Sequence, residues 1–153
     1  QAEQPDKEKE KIQQVVDGLI AALRANNYDA MARYYAPEVT IVSSRYEPPL
    51  AGWANVRRVY QSREAALQDV EIVPEDTRIE RREKLAWVYY RWNFVGRVGE
   101  QYMTTLGHTT LVLEKRGRDW LILHNHSSAV APPPTQRPTT PQPPSSPPQQ
   151  YRP

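Results

Sequence analysis

The chain contains no cysteine, which removes both a disulfide framework and a thiolate metal site. It also lacks any apolar run near the roughly 20 residues a helix needs to cross a bilayer, so no membrane-spanning helix is expected. Nor is there a block of one charge sign. The segment 131–153 holds no acid, and its Arg137 and Arg152 account for the whole net charge of +2. The other 18 of the 20 basic residues match the 18 acids. The sequence pI near 8.9 therefore signals no basic face, and no nucleic-acid partner is expected.

Proline is abundant but confined. Ten of the 15 prolines lie between Pro132 and Pro153, in APPPTQRPTTPQPPSSPPQQYRP. A segment with so little apolar surface cannot offset its ordering entropy, so residues 131–153 are expected to be disordered. They suit a spacer better than a polyproline ligand. Residues 1–7 are read as a disordered start and residues 8–130 as one folding unit. The polar opening QAEQPDKEKEK, without an initial methionine, is read as a processed end, hence an exported protein, periplasmic or secreted.

Within the folding unit, Ile12, Val15, Val16, Leu19, Ile20 and Leu23 recur at helical spacing, and Asn26 and Asn27 close that helix. Asp29 opens a short second helix, DAMARYYA. VTIVSS reads as a strand, SRYEPPLAG as a loop and WANVRRVYQSREAAL as a third helix. The remainder reads as sheet: DVEIVPEDTRIER, an edge strand or bulge broken by Pro74, then LAWVYYRWNFV, QYMTTLGHTTLVLEK and WLILHNHSSAV. GRVG and RGRD turn the chain between the last three. Helices early and a meander late predict an α+β fold with helices on one face of an antiparallel sheet.

This order resembles the cone-shaped nuclear transport factor 2-like (cystatin-like) arrangement. The last strand, with Gly117, Trp120, His124, His126 and Ser128, is similar to the association domain of calcium/calmodulin-dependent protein kinase type II, as is Tyr90-Arg91 in the central strand. SnoaL-like proteins share much of the pattern. The resemblance covers about residues 10–130. It implies a small-ligand pocket, self-association as a homodimer or larger ring, and no cofactor. The association domain's second arginine has no counterpart, its place falling at Thr110 or Leu111.

Pairing the strands by their turns assigns side chains to faces. With Arg97-Val98 as the first loop, Arg91 opposes Thr104, and Trp87, Tyr89, Arg91, Asn93, Leu106 and His108 share one face. With Gly117-Arg118 as the second loop, Leu121, Leu123 and Asn125 join them. This face is expected to line the cone, with Arg91 at its centre binding a small carboxylate or a polar aromatic molecule. Tyr89, Asn93, His108, Asn125, Tyr35 and Trp53 would complete the site. The opposite face carries Tyr90, Trp92, Phe94, Trp120, His124 and His126. It is expected to be the outer surface and to meet a second copy.

His124 and His126 point the same way, and His108 would join them only if the RGRD turn held three loop residues. Packed histidines near an interface are expected rather than a metal site. Ketosteroid isomerases share the resembled fold, and their chemistry needs a carboxylate base and a tyrosine donor. Aligning the loop Thr40–Gly52 by length implies that Ser43 stands at the base position and Leu19 at the tyrosine position. Glu47 and His108 are the remaining candidate bases for an isomerase or cyclase, the alternative to a binding domain. A purely structural oligomerisation domain is the third reading.

Overall fold

The computed structural model describes residues 6–63 and 66–131. The expected disorder of the proline-rich segment falls on residues 132–153, outside the described residues, as does most of the N-terminal segment. The first helix, α1, spans Lys7–Arg24 with Asp6 as its N-cap. The Asp6 carboxylate accepts from the backbone N–H groups of Glu8 and Lys9 at 3.0 and 3.3 Å, satisfying two of the donors every helix start leaves free. At the other end Asn26 takes a left-handed conformation (φ 49°), and Asn27 N–H donates to the Ala22 carbonyl. This closes α1 as a glycine commonly would. Asn27 then caps α2, Tyr28–Met31, through Ala30 N–H.

The strands are β1 (Tyr35–Ser43), β2 (Tyr46–Ala51), β3 (Gln68–Arg82), β4 (Leu85–Val98), β5 (Gln101–Arg116) and β6 (Asp119–Ala129), with α3 (Trp53–Arg63) between β2 and β3. They form one curved, open sheet in the order β2-β1-β6-β5-β4-β3. Every neighbouring pair is antiparallel except β1 and β6, which run parallel. The expected loop SRYEPPLAG contains β2. Pro48 and Pro49 cannot donate to a ladder, and β2 accommodates them because it is an edge strand. The second helix is shorter than expected, and Tyr35 already belongs to β1.

Two registers differ from those expected, with opposite consequences. The β4–β5 turn lies at Gly99-Glu100, so Val98 pairs with Gln101 and Arg91 with His108. The shift relative to a 97–98 loop is even, so each residue keeps its face. The β5–β6 turn is at Gly117-Arg118 as expected, but a bulge between Ile122 and His124 leaves Leu123 without a partner. Beyond it every residue of β6 changes sides. Asn125 now opposes Leu111, and His124 opposes Val112.

The helices cover the face carrying Ala86, Val88, Tyr90, Leu111, Leu113, Trp120 and Ile122, which are at most 4 % exposed. Ile12, Val16 and Leu19 of α1 are fully buried against it. Covering a side chain of this kind stabilises the fold by roughly 1.5–3 kcal/mol. The expected orientation of the sheet is therefore inverted. The apolar face is the inner one because the amphipathic helices have apolar stripes to bury, while the face of Arg91 is left outside. Tyr90, Trp92, Phe94 and Trp120 are inner residues and cannot form an outer interface. Arg91, Tyr89, Asn93 and His108 do not line the cone.

Candidate functional site

The inner face does not fill completely. A cavity of about 370 Å³ remains between that face and the helices. Its walls include Tyr90, Trp92 and Phe94 from β4, Tyr35 and Ile41 from β1, Tyr46 from β2, Tyr60 from α3 and Ile72 from β3. Leu23, Tyr28 and Met31 close the helical side. Glycine shapes one wall. A Cβ on Gly107 would stand 2.1 Å from Trp92 Cζ2, so the indole lies across β5 where a larger residue would displace it.

A polar seam crosses this aromatic lining. Trp92 Nε1 donates to Thr109 Oγ1 at 3.0 Å, and Thr109 Oγ1 lies 2.7 Å from Ser127 Oγ. Ser127 donates to Asn125 Oδ1 at 2.9 Å, and Asn125 Nδ2 to the Tyr35 hydroxyl at 3.4 Å. Tyr35 is held by stacking on Trp53, centroids 5.2 Å apart and planes within 16°. Burial pushes the Tyr35 phenol well above its ordinary value, with Tyr60 and Tyr90 adding to the rise and Asn125 opposing it. Tyr90 is pushed up to about 12, again chiefly by burial. Both are neutral at physiological pH.

The expected site residues thus separate. Tyr35 and Asn125 reach the cavity, and Trp53 backs Tyr35 without lining it. Asn125 does so only because the β6 bulge turned it inward on a sheet whose faces are reversed, two departures that offset each other. Arg91 is on the outer face, half exposed and 3.4 Å from Asp76. Asn93 donates to Glu75 at 2.7 Å, and Tyr89 hydroxyl contacts His108 Nδ1 at 2.9 Å. Arg91 and Tyr89 border an open polar depression with Asp76, Thr77 and Arg78. Of the candidate bases, Glu47 is exposed on β2 and His108 is on the outer face, and neither lines the cavity. Ser43 does line it, while Leu19 is buried in the core.

Among the described residues the lining has no carboxylate and no imidazole, and its one charged member, Arg45, is exposed. His124 and His126 stand on the outer face with ring centroids 6.5 Å apart, and His124 Nδ1 is engaged by Thr40 Oγ1 at 2.6 Å. No group of three metal-binding side chains occurs among the described residues. Sequence reasoning missed Thr109, Ser127, Tyr60 and Trp92 as lining. Knowing that the apolar face lies under the helices would have recovered Trp92 and Thr109; Ser127 also required the bulge.

Helices packed on a curved, open sheet, with a hollow on its inner face, are the form the sequence resemblance implied. The SnoaL-like domain model matches residues 12–132. The chain belongs to the SnoaL-like domain family. Its fold is the nuclear transport factor 2-like, cystatin-like one, as solved structures also indicate. A ketosteroid isomerase-like protein from Erwinia carotovora atroseptica superposes with TM-score 0.73 at 14 % identity, covering 84 % of this chain and 100 % of that one. A nuclear transport factor 2-like superfamily protein from Salmonella enterica serovar Typhimurium gives 0.75 at 17 %, covering 83 % and 94 %. A protein with a cystatin-like fold from Caulobacter vibrioides gives 0.72 at 14 %, covering 83 % and 92 %. At these identities the likeness is one of fold. No curated protein matches the chain at a significant level. This SnoaL-like domain therefore takes its functional reading from its own cavity.

Proposed function

We propose that this SnoaL-like domain binds a small, largely apolar ring compound in the cavity under β4. The observation that carries the reading is the cavity itself: about 370 Å³, walled by Tyr35, Tyr46, Tyr60, Tyr90, Trp92 and Phe94 with one polar seam. That volume falls within the range of small-molecule pockets, and flat aromatic walls favour flat ligands through stacking and edge contacts. A polar aromatic molecule fits this lining better than a small carboxylate, because the half-exposed Arg91 lies on the other side of the sheet.

Binding is favoured over an isomerase or cyclase reaction in the same hollow. Proton abstraction needs a base within hydrogen-bond reach of the substrate, and the described lining offers hydroxyls, two amides and aromatic rings but no carboxylate or imidazole. Calorimetric titration with naphthalene-sized aromatic compounds tests the proposal. Saturable binding is expected. Thr105→Trp, which puts an indole into the cavity from a half-buried position on β5, is expected to abolish it while the circular dichroism spectrum stays unchanged. Unaltered affinity in that variant overturns the assignment.

The outer face supports self-association as a second property. Trp87 and Leu106 are 41 % and 48 % exposed there, on the surface that also carries Tyr89, His108, His124 and His126. Large side chains grouped on one uncovered sheet face suit a second copy of the same chain.

A further inference from the structure

The polar seam has a direction. An indole N–H can only donate, so Thr109 accepts from Trp92. Ser127 gives its single proton to Asn125 Oδ1, so its contact with Thr109 is one in which Thr109 donates. With its carbonyl occupied, Asn125 turns its amide N–H₂ toward the Tyr35 oxygen. With the Asn125 amide held in this orientation, each link suits the next. At the end stands a phenol whose oxygen accepts and whose own proton has no acceptor among the described residues. That phenol is 3 % exposed and borders the cavity. Its ring cannot swing away without breaking the stack on Trp53.

We infer that the cavity selects by hydrogen-bond polarity, taking a neutral ring compound whose carbonyl oxygen accepts from Tyr35 and rejecting the same ring system bearing a carboxylate. The inference rests on the binding function proposed above. A carbonyl oxygen supplies the acceptor the buried phenol lacks, and leaving that donor unmatched weakens the hydrocarbon of equal shape. A carboxylate would have to surrender its hydration to a lining whose one described charge, Arg45, is exposed. The raised phenol values of Tyr35 and Tyr90 keep both groups neutral, in line with a donor and not an anion at this spot.

The test is calorimetry with three probes of one shape: 2-acetylnaphthalene, 2-ethylnaphthalene and 2-naphthoate. The unsubstituted protein is expected to bind the ketone roughly tenfold more tightly than the hydrocarbon, the worth of one buried hydrogen bond, and the acid least. In Tyr35→Phe the ketone should fall to the affinity of the hydrocarbon, whose own affinity stays unchanged. Ser127→Ala supplies a second reading that leaves Tyr35 intact. It frees Asn125 to present its carbonyl to the phenol and capture the proton, so the ketone preference should again shrink. Equal binding of ketone and hydrocarbon, tighter binding of the acid, or a preference that survives both substitutions overturns the inference and leaves the cavity a binding site. Failure of all three probes to bind the folded protein overturns the binding function as well.

Discussion

Trp120 Nε1 donates to the Glu8 carboxylate at 2.8 Å, tying the first turn of α1 to the start of β6. Lys115 Nζ meets the same carboxylate oxygen at 3.0 Å, and Lys11 the other at 3.3 Å. The Trp120 hydrogen bond, then that of Lys115, holds the Glu8 carboxyl down to about 2 from 4.5. Folding therefore favours the ionised form. The resulting stabilisation is complete above the ordinary carboxylate value and fades as pH falls from about 4.5 toward 2. Glu8→Gln is expected to lower Tm at neutral pH and to flatten the acid-side decline of Tm followed by circular dichroism. Identical acid slopes in the two proteins would show that this contact carries no stability.

Tyr35 and Tyr90 give the alkaline counterpart. Both phenols are raised, Tyr90 to about 12, so folding favours their protonated forms. Their contribution is intact below the ordinary value of 10.0 and is lost as pH climbs through the raised ones. Phenolate absorbance should show Tyr35 and Tyr90 ionising only as the folded state collapses. Tyr90→Phe should shrink that late absorbance step by one phenolate. A late step of unchanged size in the variant would contradict the assignment.

Gly107→Val examines the wall of the cavity. A Cβ there meets Trp92 Cζ2 at 2.1 Å and the Ser128 carbonyl oxygen at 2.6 Å, so the indole must leave its place. Overpacking of this kind costs about 1–3 kcal/mol, measurable by urea unfolding. The same variant should lose near-ultraviolet circular dichroism from Trp92 and its affinity for naphthalene probes. A variant with unchanged stability and spectrum would mean that Trp92 does not lie over Gly107.

On the other side of the sheet, Trp87→Glu and Leu106→Glu should produce monomers by light scattering while the fold persists, because both side chains already reach solvent. Trp92→Glu is expected to destabilise the domain instead, since its ring packs against the core. A protein that retains its assembly with both outer substitutions would not associate through this face.

The elements were legible where periodicity and punctuation agreed. The apolar stripe of α1 and the Asn26-Asn27 stop are local signals, and the helix ends there. The long strands β4, β5 and β6 were equally plain. β2 was missed because Pro48 and Pro49 are breakers in every context except a sheet edge, and edge position is a property of the whole fold. The orientation of the sheet was misread for a different reason. Hairpin turns determine which residues share a face but carry no information about which face the helices cover. The better guide was area: Tyr90, Trp92 and Trp120 had more apolar surface to hide than Arg91 and Asn93. The seam from Trp92 to Tyr35 joins β4, β5, β6 and β1, and no spacing along the chain announces it.

Leu123 is a single residue of slack in β6. Because it steps out of the ladder, everything after it in β6 is rotated by half a turn: an amide and a hydroxyl go to the hollow, two imidazoles to the open side. Closing the bulge with Leu123 kept, so that it pairs with Val112, would exchange the two sets, furnishing the interior with proton-transfer groups and stripping the phenol of its supporting amide. The bulge thus stands one register step between a domain that holds a compound and one equipped to transform it.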